Sequence, residues 1–215
     1  MTKKERAAIA VERLKQLYLE ATCSLEYHKE KPYELLIATR LSAQCTDARV
    51  NIVTKDLFQE YPTLQSFADA DIQDIERLIH SCGFYRTKAQ DIVNMSKSLI
   101  ADYDSILPDT IEELTKLSGV GRKTANLIVG DIYGKPSIVT DTHCIRICGR
   151  IGLTSSKDPK KTEDELRKIL DPKESGNFCH RLVHFGRETC SARSPKCMEC
   201  KLNDICKEGI KKLKI

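Results

Sequence analysis

Apolar residues return every third or fourth position along most of this chain, at 33–41, 50–58, 72–79, 89–100, 111–117, 125–132, 144–151 and 166–170. That period is helical, and each stretch predicts a helix with one buried stripe. Breaks fall at Lys31-Pro32, Tyr61-Pro62, Cys82-Gly83, Leu107-Pro108, Gly134-Lys135-Pro136 and Asp158-Pro159, mostly beside Asp, Thr or Ser able to cap the following helix. Asp109 and Glu112 have the spacing of a capping box. Only 137–139 reads as strand, too short to build a sheet. The pattern predicts an all-α protein with short connections and no internal repeat or low-complexity tract.

A hydrophobic content of 40% in 215 residues is ample for a packed core, in one large domain or two small ones. Lys and Arg number 35 against 31 Asp and Glu, and the resulting +4 permits an anionic partner without requiring one. The opening MTKKERAAIAVERLKQLYLE is an amphipathic helical pattern interrupted by charge rather than a signal peptide. No apolar run reaches membrane-spanning length, so a cytosolic location away from membranes is expected.

Ten cysteines in a reducing compartment are not expected to form disulfides. Cys23, Cys45, Cys82, Cys144, Cys148 and Cys179 fall inside apolar segments, as small buried hydrophobes do. Cys190, Cys197, Cys200 and Cys206 are different: six, two and five residues separate them, and four thiolates so gathered can enclose one metal centre. On spacing alone, structural zinc stands ahead of iron–sulfur.

The stretch LSGVGRKTAN, residues 117–126, places a tight glycine hairpin between two helical stripes. Gly119 and Gly121 can take positive φ and let another backbone approach closely. The second helix would then open with backbone N–H groups and the positive end of its dipole, a site for a phosphate to which Arg122 adds charge. Taken alone, the motif reads first as a plain antiparallel helix pair with a glycine cap, and only second as a phosphate site.

The wider stretch LSGVGRKTANLIVGDIYGKPSIVTDTHCIRICGRIG resembles the signature of the endonuclease III family of DNA glycosylases, within the helix-hairpin-helix-GPD superfamily. LLIATRLSAQCTDARVN, GFYRTKA and HFGRETCSARSPKCMECKLNDIC resemble the same family in the same order, from about residue 30 onward. Two departures are visible. Ser118 stands where the family usually has proline, and Thr140 where a hydrophobic residue usually precedes the aspartate. The resemblance implies two helical lobes: a six-helix barrel with the helix-hairpin-helix at residues 25–135, and an iron–sulfur cluster lobe from 1–24 and 136–215, with DNA in a cleft between them.

It also implies roles. A lysine amine attacks only when unprotonated, a form favoured in the first turn of a helix beside another cation and by partial burial. Lys123 would then attack the sugar C1′ of a damaged nucleotide, expel the base, and leave a Schiff base open to β-elimination. Its alternative is a solvated phosphate contact. Asp141 matches the catalytic carboxylate, able to stabilise positive charge on the sugar, while its position before a helical run also suits a plain N-cap. Gln44 matches the residue that enters the space left by a flipped nucleotide, and Phe84 falls near an apolar wedge, with a core position as its alternative. Gly119, Gly121 and Arg122 would bind the DNA backbone, as would Arg193 and Lys196 in the loop between the first two cysteines. The resemblance makes Cys190, Cys197, Cys200 and Cys206 the ligands of a [4Fe–4S] cluster. The expected protein is a monomeric, cytoplasmic prokaryotic glycosylase and abasic-site lyase. Its expected partner is double-stranded DNA carrying damaged bases, chiefly oxidised pyrimidines, or abasic sites. An adenine or mismatch glycosylase of the same superfamily generally lacks such a lysine, and a non-catalytic helix-hairpin-helix module would need neither Lys123 nor Asp141.

Overall fold

The computed structural model describes residues 1–213, and among these every regular element is helical. Twelve α-helices follow one another: α1 (Lys3–Leu17), α2 (Tyr33–Leu41), α3 (Asp47–Glu60), α4 (Leu64–Ala68), α5 (Ile72–Ile79), α6 (Tyr85–Tyr103), α7 (Ile111–Leu114), α8 (Arg122–Asp131), α9 (Thr142–Ile151), α10 (Pro159–Arg167), α11 (Ser175–Glu188) and α12 (Lys207–Leu213). Short 3₁₀ turns occupy His80–Cys82 and Cys197–Glu199. No described helix is long and apolar enough to cross a membrane. The chain forms two compact units, Ser24–Tyr133 and, from both ends of the sequence, Met1–Cys23 with Gly134 onward.

In the unit Ser24–Tyr133, α2 is the central helix. Seven of its nine residues are buried, as expected of a helix that is apolar nearly all round. α3, α6 and α8 pack against it. Each of Leu35, Leu36, Ile37 and Leu41 is withdrawn from water, a gain of about 1.5–3 kcal/mol per side chain. Side-chain oxygens of Thr46, Thr63 and Asp71 cap α3, α4 and α5. At α7 the cap is Thr110, whose hydroxyl accepts from the Glu113 N–H, and not Asp109. The capping spacing was therefore displaced by one residue, and α7 ends at Leu114 after a single turn.

The other unit begins with α1, closed by a capping box between Thr2 and Glu5. Its buried face is Ala7, Ala10 and Leu14, small enough for α11 to approach closely. α11 answers with Phe178, Cys179, Leu182 and Phe185, and α9 packs Cys144, Ile147, Cys148 and Ile151 against it. Polar contacts lock α1 in place: Lys15 to Glu174 at 2.9 Å, Tyr18 Oη donating to Glu188 at 2.9 Å, and Arg13 donating to the Lys201 carbonyl at 2.8 Å. Cys82, Cys144, Cys148 and Cys179 are buried as expected, whereas Cys23 and Cys45 are only half-buried. Residues 137–139 form no strand.

Candidate functional site

The glycine hairpin is built on an ion pair. Arg40 of α2 donates through Nε to Asp91 Oδ2 of α6 at 2.7 Å, with Nη2 at 2.6 Å. Ser118 Oγ donates to the other carboxylate oxygen at 2.7 Å. Gly119 takes φ +72° directly above: a Cβ there would stand 2.6 Å from Arg40 Nε and 2.8 Å from Asp91 Cγ. Ser118, where the family usually has proline, thus fixes the turn by hydrogen bonding instead of by a ring. Leu117 and Val120 anchor the hairpin in the core. Gly121 then caps α8 without a side chain, so the first turn presents backbone N–H groups to its surroundings. Arg122 and Lys123 open this turn, Arg122 half-buried and Lys123 exposed. Lys123 is thus exposed, whereas the sequence led one to expect partial burial.

Two further loops of this unit carry residues in the left-handed region. Gln44, exposed, has φ 56° in the link from α2 to α3. Phe84 has φ 47° at the start of α6 and is 66% exposed, which removes the core alternative. Between these loops runs a buried lysine that sequence reading missed: Lys88 Nζ donates to the Leu41 carbonyl and to the Cys82 carbonyl, both at 2.8 Å. A signal did exist, because Lys88 occupies the apolar stripe of α6 with Ile92, Met95 and Leu99. Asp47 is the first residue of α3, which Thr46 caps, and accepts a hydrogen bond from Ser24 Oγ at 2.7 Å.

In the other unit, Asp141 caps α9: its Oδ1 accepts from the Cys144 N–H at 2.7 Å. The carboxylate is half-buried and its rotamer is fixed by that bond. The turn continues through His143, which lies beside Arg146 Nη2 at 3.2 Å and directly over Gly186, where a side chain would displace the imidazole.

Cys190, Cys197, Cys200 and Cys206 line one pocket together with Ile151, Phe185 and Leu202. Among the described residues no three His, Cys, Asp or Glu are gathered around a single-ion position. Thiols standing around a cavity suit a multi-iron cluster better than one zinc ion. Donors already face three of them: Arg150 Nη1 to Cys190 Sγ at 3.4 Å, the Leu202 N–H to Cys200 Sγ at 3.4 Å, and the Gly209 N–H to Cys206 Sγ at 3.3 Å. Burial raises the Cys200 thiol to about 11 and pushes Cys206 up as well, so a cluster must take the place of those protons. Arg150, also unforeseen, braces the loop after Cys190 by donating to the Ser191 and Ala192 carbonyls at 2.6 and 2.7 Å. Arg193 and Lys196 on that loop are exposed.

These features have counterparts in known proteins. Residues 37–172 match the model of the HhH-GPD superfamily base excision DNA repair proteins, and residues 190–206, which run from the first to the last of the four cysteines, match the iron–sulfur binding domain of endonuclease III. The endonuclease III of Synechocystis sp. is 45% identical over 95% of this chain and 93% of its own. A non-covalent endonuclease III–DNA complex superposes with a TM-score of 0.93 at 39% identity, covering 100% of both chains. A trapped endonuclease III–DNA covalent intermediate gives 0.92 at 39% identity over 99% of this chain and 100% of that one. The helical architecture and the hairpin define a base excision repair protein of the helix-hairpin-helix class. Within that class, the chain belongs to the endonuclease III family. It is a DNA glycosylase with abasic-site lyase activity and carries a [4Fe–4S] cluster.

Proposed function

We propose that Lys123 is the nucleophile of this enzyme and that its substrates are oxidised pyrimidines and abasic sites in duplex DNA. The observation that carries the reading is the exposed lysine in the first turn of α8, immediately behind the Gly119 hairpin. An unprotonated Lys123 Nζ forms a bond to C1′ as the N-glycosidic bond breaks, and the base leaves with a proton. Opening of the sugar gives a protonated Schiff base. Loss of the C2′ proton then expels the 3′-phosphate, and hydrolysis of the imine returns the amine. Asp141 balances positive charge on the sugar and relays protons, its rotamer held by the cap bond.

The remaining roles follow the chemistry of each group. Gly119, Gly121 and Arg122 bind a phosphate at the α8 N-terminus, while Arg193 and Lys196 contact the backbone elsewhere. Gln44 and Phe84 enter the stack where a nucleotide has left it. The four cysteines hold the cluster, which pins their loop and contributes folding energy. Ser24–Tyr133 serves as the six-helix barrel and the remainder as the cluster lobe of a cytoplasmic monomer.

Borohydride reduction tests the reading. The protein should become covalently attached to lesion-bearing duplex, and Lys123→Gln should abolish the adduct while still binding DNA. Asp141→Asn, which keeps shape and part of the cap, should lose about two orders of magnitude or more in turnover. Normal trapping by the Lys123 variant would exclude it as nucleophile.

A further inference from the structure

Lys88 is 1% exposed and reaches two carbonyls that belong to different loops. One is Leu41, the last residue of α2, whose carbonyl has no partner further along that helix; the other is Cys82, the last residue of the His80–Cys82 turn. Burying an ammonium costs several kcal/mol unless it is well paired. Here the groups that act on it are the Cys45 and Cys82 thiols and Arg40, and burial pushes its pKa down. An apolar side chain would fill the stripe of α6 without that cost, so the cation has another use.

That use is visible a few residues beyond each anchor. Gln44 comes three residues after Leu41 and Phe84 two residues after Cys82, and both hold left-handed backbone conformations. Such conformations cost about 1–3 kcal/mol each outside glycine and persist where the surroundings enforce them. Phe84 begins α6 without any side-chain cap. Lys88, one turn into that helix, ties the stem of the first loop to the stem of the second.

We propose that Lys88 is a positioning residue that holds Gln44 and Phe84 as one rigid pair for entry into the DNA stack. The inference rests on the roles proposed above for those two residues. A wedge must keep its shape against a duplex that resists opening, and a misplacement of about 1 Å can lower rates by up to a hundredfold. A single-stranded abasic site needs no such opening.

Holoenzyme carrying Lys88→Met should therefore lose about tenfold or more in kcat/KM on a duplex lesion while cleaving a single-stranded abasic oligonucleotide within about twofold of the parent. The fluorescence rise of 2-aminopurine placed beside the lesion, which reports unstacking, should shrink in parallel. Lys88→Gln, polar but shorter and uncharged, should show the same bias if the Met variant does not fold, and Lys88→Arg should largely restore the ratio. In a Gln44→Ala/Phe84→Ala background, Lys88→Met should add no further loss. An unchanged ratio of duplex to single-strand activity would overturn the positioning role while leaving the wedge intact. A harmless Gln44→Ala/Phe84→Ala pair would remove the wedge itself, and the role of Lys88 with it.

Discussion

Arg40 holds Asp91 through two nitrogens, and Gly119 rests on the pair with no room for a side chain. A methyl at Gly119 must displace Arg40 or Asp91 and also sit at φ +72°. Gly119→Ala should lose about 1–3 kcal/mol in urea unfolding and weaken duplex binding. Gly121→Ala is the control: nothing lies within 4 Å of its added Cβ and its φ is −91°, so its cost should stay within about 1 kcal/mol. Equal losses at both glycines would show that the ion pair does not shape the turn.

The cluster should be visible in the purified protein. Prepared without oxygen, it should be yellow-brown with about four irons per chain. Cys197→Ser should bleach that absorbance and lower the melting temperature by at least about 5 °C, because a group bound only in the folded state adds directly to stability. Stoichiometric zinc in native preparations would contradict this.

Arg193 and Lys196 are exposed on a loop braced from beneath by Arg150, which limits the entropy they lose on reaching a phosphate. Residues 178–201 contain five Lys or Arg against two Asp or Glu, a local excess that the chain average conceals. Replacing both by Ala should weaken damaged and undamaged duplex alike and flatten the slope of log affinity against log salt by roughly 1 per contact. An unchanged slope in a variant with full cluster absorbance would reject the contact.

Glu174 should govern part of the acid stability. Hydrogen bonds from Lys15, then Arg181, hold its carboxyl below the usual glutamate range. A lowered folded value means the unfolded chain binds the proton more readily. The stabilisation is therefore complete above the ordinary glutamate value and is lost as pH falls through the lowered one. Glu174→Gln should destabilise the protein at neutral pH, where buried Arg181 loses its charged partner, and flatten the acid limb of a stability profile. A parallel profile for parent and variant would refute the linkage.

The sequence disclosed what depends on neighbours in the chain. The Asp141 cap is a four-residue event, and the hairpin at Gly119 needs only its two flanking stripes. α11 escaped notice, since His180, Arg181, His184 and Gly186 interrupt the apolar run of Phe178, Leu182 and Phe185. Arg181 is itself buried, with its charge met by Glu174. Pairs such as Arg40 with Asp91, 51 positions apart, leave no periodic trace. At Thr110 the failure was local: Asp and Thr are both good caps, and only the backbone conformation chooses between them.

α1 meets α11 across a long stretch of chain, with Lys15 and Glu174 separated by 159 positions. A ribosome adding about 5–20 residues per second needs roughly 8–30 s to cover that distance. During this interval Ser24–Tyr133 is contiguous and can complete its own core, while the first helix waits for its mate. The face it must later bury is centred on two alanines and a leucine, flanked by half-buried Ile9 and Val11, a small apolar stripe for a nascent chain to carry.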